Sequence, residues 1–284
     1  MDRKNLERYI GGLQLDELYE FGSRNATLAV NGCETDEAEI AIICFEKAAS
    51  KGHIQAQYSL GFCYSIGTLV QRDQSKAIFW YRKAAEQGYG DALAALGRCY
   101  ATGEGVEMSI ETAANWYAKA VVKGYDSPVD FFNLGYSFMM CKAVTKNLGK
   151  AIFWLELAAK GNHADAQYIL GGCYYYGLGV ETNRTKAAYL WEKSSESGNS
   201  DAQASLGSCY ACGNGVARDF VKAVELWKSA AISGNVNAQV FLGRCYAEGA
   251  EVAPDNERAQ YWYKKAAEQG NAEAISWIQN QRNK

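Results

Sequence analysis

Histidine and proline are almost missing from this chain, with two of each in 284 residues. The scarcity of imidazoles argues against the commonest acid–base chemistry. His53 and His163 lie far apart in the sequence, and neither is grouped with a nucleophile in the manner of a Ser-His-Asp triad. The two prolines, Pro128 and Pro254, are accompanied by no Ser/Gly tract and no charge block, so no segment reads as a linker between domains. A strong charge of either sign is missing as well. The net charge of −3 gives no electrostatic case for nucleic acid or an anionic membrane. The longest aliphatic stretch, Ile40 to Phe45, is far too short to span a bilayer, so no membrane insertion is expected. The charged opening from Asp2 to Arg8 is not followed by the apolar core of a secretory leader. Neither a metal nor a cofactor is expected.

What the chain does have is glycine at a fixed period. Leu-Gly pairs stand at Leu60-Gly61, Leu96-Gly97, Leu134-Gly135, Leu170-Gly171, Leu206-Gly207 and Leu242-Gly243; four of the five steps are 36 residues and the step into the third pair is 38. An aromatic follows each pair: Tyr64, Tyr100, Phe138, Tyr174, Tyr210, Tyr246. A period in this range is the signature of a repeat array. Within the first clear copy, Ala56, Leu60, Cys63 and Tyr64 fall on one helical stripe, and Gly67 breaks that helix. Asp73 then stands as an N-cap, matched by Ser109, Asn147, Asn183, Asp219 and Asp255. A second helix from Gln74 to Gln87 carries Ala77, Trp80, Tyr81 and Ala84 on one face. Gly88 ends it, as Gly52, Gly124, Gly161, Gly198, Gly234 and Gly270 end theirs in the left-handed position that glycine tolerates.

The expected fold is all-α: a right-handed α/α superhelical solenoid of about seven helix-turn-helix repeats in a single domain. The copies span 53–88, 89–124, 125–161, 162–198, 199–234 and 235–270, preceded by a degenerate copy over 15–52, where Phe21-Gly22 replaces Leu-Gly. Residues 271–284 restart a first helix and form a C-terminal cap, with Ile278 at the Leu site. Five of the nine cysteines, Cys63, Cys99, Cys173, Cys209 and Cys245, occupy one site in successive copies. Neighbouring helices pack about 8–10 Å apart and a disulfide needs Cα atoms within about 7 Å. The ladder therefore predicts small buried thiols in a reducing compartment, the cytoplasm. Lys76, Lys150, Lys186, Lys222 and Arg258 run against rule, since they sit in the first turn of second helices, where the macrodipole disfavours cations. Salt bridges to an adjacent copy would account for them.

Three features look like chemistry and read as structure. Gly103-Glu104-Gly105, Gly177-Leu178-Gly179 and Gly213-Asn214-Gly215 lack the preceding strand and following Lys-Ser/Thr of a phosphate loop, and read as interhelical turns. Cys209-x-x-Cys212 has redox spacing but no βαβ surroundings. The two histidines occupy the same turn of their copies and read as solvated punctuation.

The copy from Ala202 to Gly234 carries Leu206-Gly207, Tyr210, Gly213, Gly215, Val216, Asp219, Lys222, Ala223, Trp227 and Lys228. This pattern resembles the Sel-one-like repeat family, relatives of tetratricopeptide repeats, and the resemblance covers about residues 38 to 271. It implies a superhelix that scaffolds protein complexes. Members serve in membrane-protein quality control, bacterial signalling and host interaction, and some bacterial members resemble immunity proteins for secreted toxins. A cysteine-rich subgroup with a disulfide in each repeat is linked to β-lactam binding. This chain has Ala84-Ala85 and Ala266-Ala267 where that subgroup's second-helix cysteine would lie, which removes the support for a β-lactam reading. The third copy also departs, with Met139, Met140 and Cys141 in place of the usual turn, so its loop is expected to take a different path.

On a helical wheel the first-helix positions that recur cluster on one side, and those that change cluster on the other. The changing set supplies the candidate partner-binding residues: Tyr58, Phe62, Arg98, Phe132, Tyr136, Met139, Met140, Tyr168, Tyr175, Tyr176 and Arg244. Aromatic, Met and Arg side chains suit binding hot spots, and first helices line the concave face of such arrays. Each of these residues also admits a second reading, packing against the next first helix. The function expected is a non-enzymatic scaffold or adaptor that takes a protein or peptide on its concave surface. An immunity or inhibitor protein that blocks a toxin or enzyme is the alternative, and a peptidoglycan or β-lactam-related hydrolase ranks below it.

Overall fold

The computed structural model of the chain describes residues 3–32, 35–140, 147–249 and 252–282. Among these residues every regular element is an α-helix. The chain divides into two compact units, Met1–Asp126 and Ser127–Lys284. Unit 1 holds α1 (Arg3–Gly12), α2 (Leu15–Val30), α3 (Thr35–Ser50), α4 (Ile54–Ile66), α5 (Gln74–Glu86), α6 (Gly90–Thr102) and α7 (Ile110–Val122). Unit 2 holds α8 (Pro128–Met140), α9 (Leu148–Lys160), α10 (Ala164–Tyr176), α11 (Arg184–Glu196), α12 (Ser200–Cys212), α13 (Phe220–Ile232), α14 (Val236–Glu248), α15 (Asn256–Glu268) and α16 (Ala272–Arg282). In each unit the helices form antiparallel pairs whose second helix leans on the first helix of the next pair, the arrangement of an α-solenoid.

The Leu-Gly pair explains why the hairpins close. Leu60, Leu96, Leu134, Leu170, Leu206 and Leu242 are sealed in the core. The glycine beside each receives a side chain from the second helix directly on its backbone. A Cβ on Gly171 would lie 2.6 Å from the indole nitrogen of Trp191, and a Cβ on Gly207 would lie 2.6 Å from that of Trp227. Tyr81, Tyr117, Leu155 and Tyr263 lie against Gly61, Gly97, Gly135 and Gly243 in the same way. The contact also satisfies a buried donor: Trp191 Nε1 donates to the Tyr168 carbonyl at 3.0 Å, and Trp227 Nε1 to the Ala204 carbonyl at 3.1 Å. Each second helix starts at its cap as read from the sequence, with Asp73, Ser109, Asn147, Asn183, Asp219 and Asp255 all accepting from a first-turn amide.

Two of the misplaced cations, Lys186 and Lys222, pair with a carboxylate of the preceding copy, while Lys76 and Arg258 pair with the cap residues Asp73 and Asp255 of their own. Lys186 Nζ donates to the Tyr174 hydroxyl at 2.6 Å and to Glu156 at 3.3 Å, and sits 4.0 Å from the centre of the Tyr174 ring. Lys222 repeats this with Tyr210 at 2.6 Å and Glu192 at 3.7 Å. Lys76, Lys150 and Arg258 lie over Tyr64, Phe138 and Tyr246. For Lys186 and Lys222 a carboxylate from one hairpin and a ring from the next offset the unfavourable dipole.

The structure departs from the sequence reading at four points. An additional helix, α1, precedes the degenerate copy; it buries Leu6 and Ile10, and Tyr9 meets Phe21 edge-on at 5.3 Å. The histidines are not solvated punctuation. His53 and His163 cap α4 and α10 through Nδ1, and each ring stacks on an aromatic of the preceding first helix: Tyr19 at 4.8 Å and Phe132 at 4.4 Å. Gly161 does not adopt the left-handed conformation; Asn162 does, at φ 61°. Gly161 is instead required by crowding, because a Cβ there would meet Pro128. Trp80 is only half-buried, whereas its neighbours Ala77, Tyr81 and Ala84 are buried. The third-copy loop and Cys141 lie outside the described residues.

A bond between the two helices of one hairpin is made in some copies and missing in others. Gln87 and Gln269, at the ends of α5 and α15, donate to the Oε1 atoms of Gln57 and Gln239 at 2.8 and 3.0 Å. Ser197 and Ser233 occupy the equivalent ends of α11 and α13, and there the Oε1 atoms of Gln167 and Gln203 are buried without a partner. Ser197→Gln is expected to raise stability by about 1 kcal/mol in chemical denaturation; an unchanged midpoint would show that the oxygen is already satisfied. Adjacent glycines of α10 should respond oppositely to alanine. Gly171→Ala displaces the indole and costs about 1–3 kcal/mol. Gly172→Ala meets no atom within 4 Å and gains about 0.5–1 kcal/mol, a contrast that paired unfolding curves measure directly.

Candidate partner-binding groove

The first helices of unit 2 border a groove of about 510 Å³. Met139 comes from α8; Tyr168, Ile169, Gly172, Tyr175 and Tyr176 from α10; Asp201, Ala204, Ser205 and Ser208 from α12; Asn237 and Phe241 from α14. Trp191, fixed against Gly171, forms part of the floor. The rings are mutually ordered: Tyr175 meets Tyr176 edge-on at 4.9 Å and lies 5.3 Å from Trp191. The Tyr175 hydroxyl accepts from Asn214 at 3.1 Å, and the Arg184 guanidinium lies over the Tyr175 ring at 5.7 Å.

Asp201 is the sole carboxylate among the lining residues. It stands in the first turn of α12, where the dipole favours an anion, and its Oδ1 accepts from Asn235 at 2.7 Å. The Tyr168 hydroxyl has its pKa pushed up by burial first, then by the Asp201 charge. It is held as a neutral phenol.

Of the residues proposed from sequence, Met139, Tyr168, Tyr175 and Tyr176 come together in this groove. Tyr136 and Met140 are exposed at 41% and 60% on α8, outside the lining. Phe132 is half-buried between His163 and Tyr136. Arg244 is engaged in two hydrogen bonds with Glu273 of α16, at 2.7 and 2.9 Å. In unit 1, Tyr58 and Phe62 line a separate hollow of about 430 Å³ between α2 and α4. Tyr58 also packs on Tyr89 at 5.3 Å, and Arg98 donates to the Tyr125 hydroxyl at 3.1 Å.

Sequence reasoning missed Asp201, Ser205, Ser208, Asn237 and Trp191. Asp201 reads as a dipole partner at a helix start, a role it does fill. Trp191 reads as core, and its indole edge reaches the groove only because glycines stand opposite it.

Compared with known proteins, the chain matches the pattern described as Sel1 repeat over residues 17–53, 54–89, 90–125, 132–163, 164–199, 200–235 and 236–271. A solved structure of c5321, a protective antigen of uropathogenic Escherichia coli displaying an SLR fold, superposes with a TM-score of 0.74 at 30% identity over 96% of this chain. The chain spans 58% of that protein's length. A Sel1 repeat protein of Oxalobacter formigenes superposes with a TM-score of 0.63 at 25% identity, covering 98% of this chain and 89% of the other. No curated protein matches the sequence.

The buried thiols of both units are inert by environment. Cys44, Cys63, Cys99, Cys173, Cys209 and Cys245 are free and buried, and Cys212 is free and exposed. Burial pushes the Cys63 and Cys209 thiols up to about 11. A thiol raised in this way remains protonated until the pH passes its shifted value, so little thiolate exists below it. Iodoacetamide at mildly alkaline pH is therefore expected to alkylate Cys212 alone among these seven, as read by peptide mass spectrometry. Rapid alkylation of Cys209 in the folded chain would contradict the inert ladder.

Proposed function

Because the chain belongs to the Sel1 repeat family, whose members act in general as protein-interaction scaffolds, we propose that it binds an extended segment of a partner protein in the groove of unit 2. One observation carries this reading: four successive first helices line a single open trough to which α10 and α14 present aromatic side chains, with Tyr176 70% exposed. Rigid aromatic anchors bordered by Ser and Asn side chains suit the anchoring of a peptide, because they bury apolar area at small entropic cost and leave polar groups to orient its backbone. A trough with one carboxylate, and with the Tyr168 phenol and Cys209 thiol pushed up by burial, suits binding rather than acid–base chemistry, which needs two tuned groups in reach of each other. The free, buried thiols support a reducing compartment such as the cytoplasm as part of this reading.

The test uses exposed residues, so that loss of binding is separable from loss of fold. Tyr176→Ala, with Tyr136→Ala outside the lining as the control, is expected to leave helicity and the unfolding midpoint nearly unchanged and to abolish capture of proteins that the wild type and the control retain. Identical capture by Tyr176→Ala and the wild type would refute the groove.

A further inference from the structure

The groove of unit 2 is neutral and aromatic except at Asp201, and that exception defines what can occupy it. A carboxylate covered by an apolar guest loses water without compensation, and an acidic guest adds repulsion. A cation supplies both the counter-charge and an attraction to the ring faces. The same molecule already holds lysine in this manner twice. The Lys186 ammonium rests 4.0 Å from the Tyr174 ring centre and 3.3 Å from Glu156, and that of Lys222 rests 4.2 Å from the Tyr210 ring centre and 3.7 Å from Glu192. A tyrosine face beside a carboxylate is thus a lysine seat in this fold. Tyr168, Tyr176 and Asp201 present those two elements to the open groove. The Tyr175 ring is covered by the chain's own Arg184, which leaves Tyr168 and Tyr176 for the guest.

Resting on the groove reading above, we infer that the partner segment bears a lysine or arginine flanked by apolar residues, its cation set against Asp201 and the Tyr168 and Tyr176 rings. The apolar neighbours of that residue cover Ile169, Trp191 and Phe241. Specificity for the basic residue then resides in α10 and α12.

The probe is a random peptide library displayed on phage and selected against the full chain, followed by titration of the enriched peptides in solution. Enriched sequences are expected to carry Lys or Arg beside apolar residues. Asp201→Asn, which keeps an oxygen to accept from Asn235, is expected to weaken them at least tenfold, as is Tyr176→Leu. Replacing the peptide's lysine with norleucine should cost the wild type the same factor and cost the Asp201→Asn chain almost nothing, the coupling expected of a direct pair. The norleucine comparison needs no protein variant and stands even if one misfolds. Enriched peptides that bind the groove without a basic residue, or bind Asp201→Asn as tightly as wild type, overturn this inference and leave the groove reading intact. Failure to enrich any peptide, or binding indifferent to Tyr176→Ala, overturns both.

Discussion

In each repeat a side chain of the second helix lies on the bare backbone of the first, and the geometry of the hairpin follows from how close that approach is. Trp191 and Trp227 make it most completely, since the indole covers the glycine and its nitrogen donates to the carbonyl of Tyr168 or Ala204, one turn earlier on the first helix. With the two helix axes fixed at this distance, the leucine beside the glycine is driven into the core and the small alanines of both helices fill the remaining space. The groove of unit 2 depends on the same contact, because its floor is the far edge of the Trp191 ring.

Stacking between hairpins rests on directional bonds as much as on apolar cover. Glu156 and Glu192 reach forward to the tyrosine and lysine of the following copy, and Asp165 and Asp201 accept from Asn199 and Asn235 at the start of the next first helix. Single exposed ion pairs contribute little. Here the charged groups are shared among three helices, and the lysine stem covers a ring as well. Such bonds set the angular register between hairpins, which apolar packing alone leaves loose.

Much of this could be read in the sequence because it recurs. The period, the six second-helix caps and the buried thiol ladder each depend on a kind of residue that the local backbone demands, so most copies show the same letter or one of the same chemistry. What escaped the reading depends on single copies or on neighbours distant in sequence. The α1 helix has no counterpart in any copy, and only Leu6 and Ile10 signal it. His53 and His163 act as caps in place of the asparagines at 199 and 235, a substitution of function visible only once Nδ1 is seen facing an amide. Gly161 looks like its counterparts, yet the close approach of Pro128 is what requires it. Asp201 was legible as a helix-start acid and illegible as a groove residue, because one position serves both roles.

Tyr168 gives its carbonyl to Trp191 and its ring to the groove, while Ala204 gives the same carbonyl to Trp227 with no ring at all. The scaffold therefore draws on the backbone at that position and leaves the side chain uncommitted. Along α10 the architecture thus uses the main chain where the trough uses the ring. A lineage built on this plan can recast the lining of the trough by point substitutions at such positions, without passing through an unfolded ancestor.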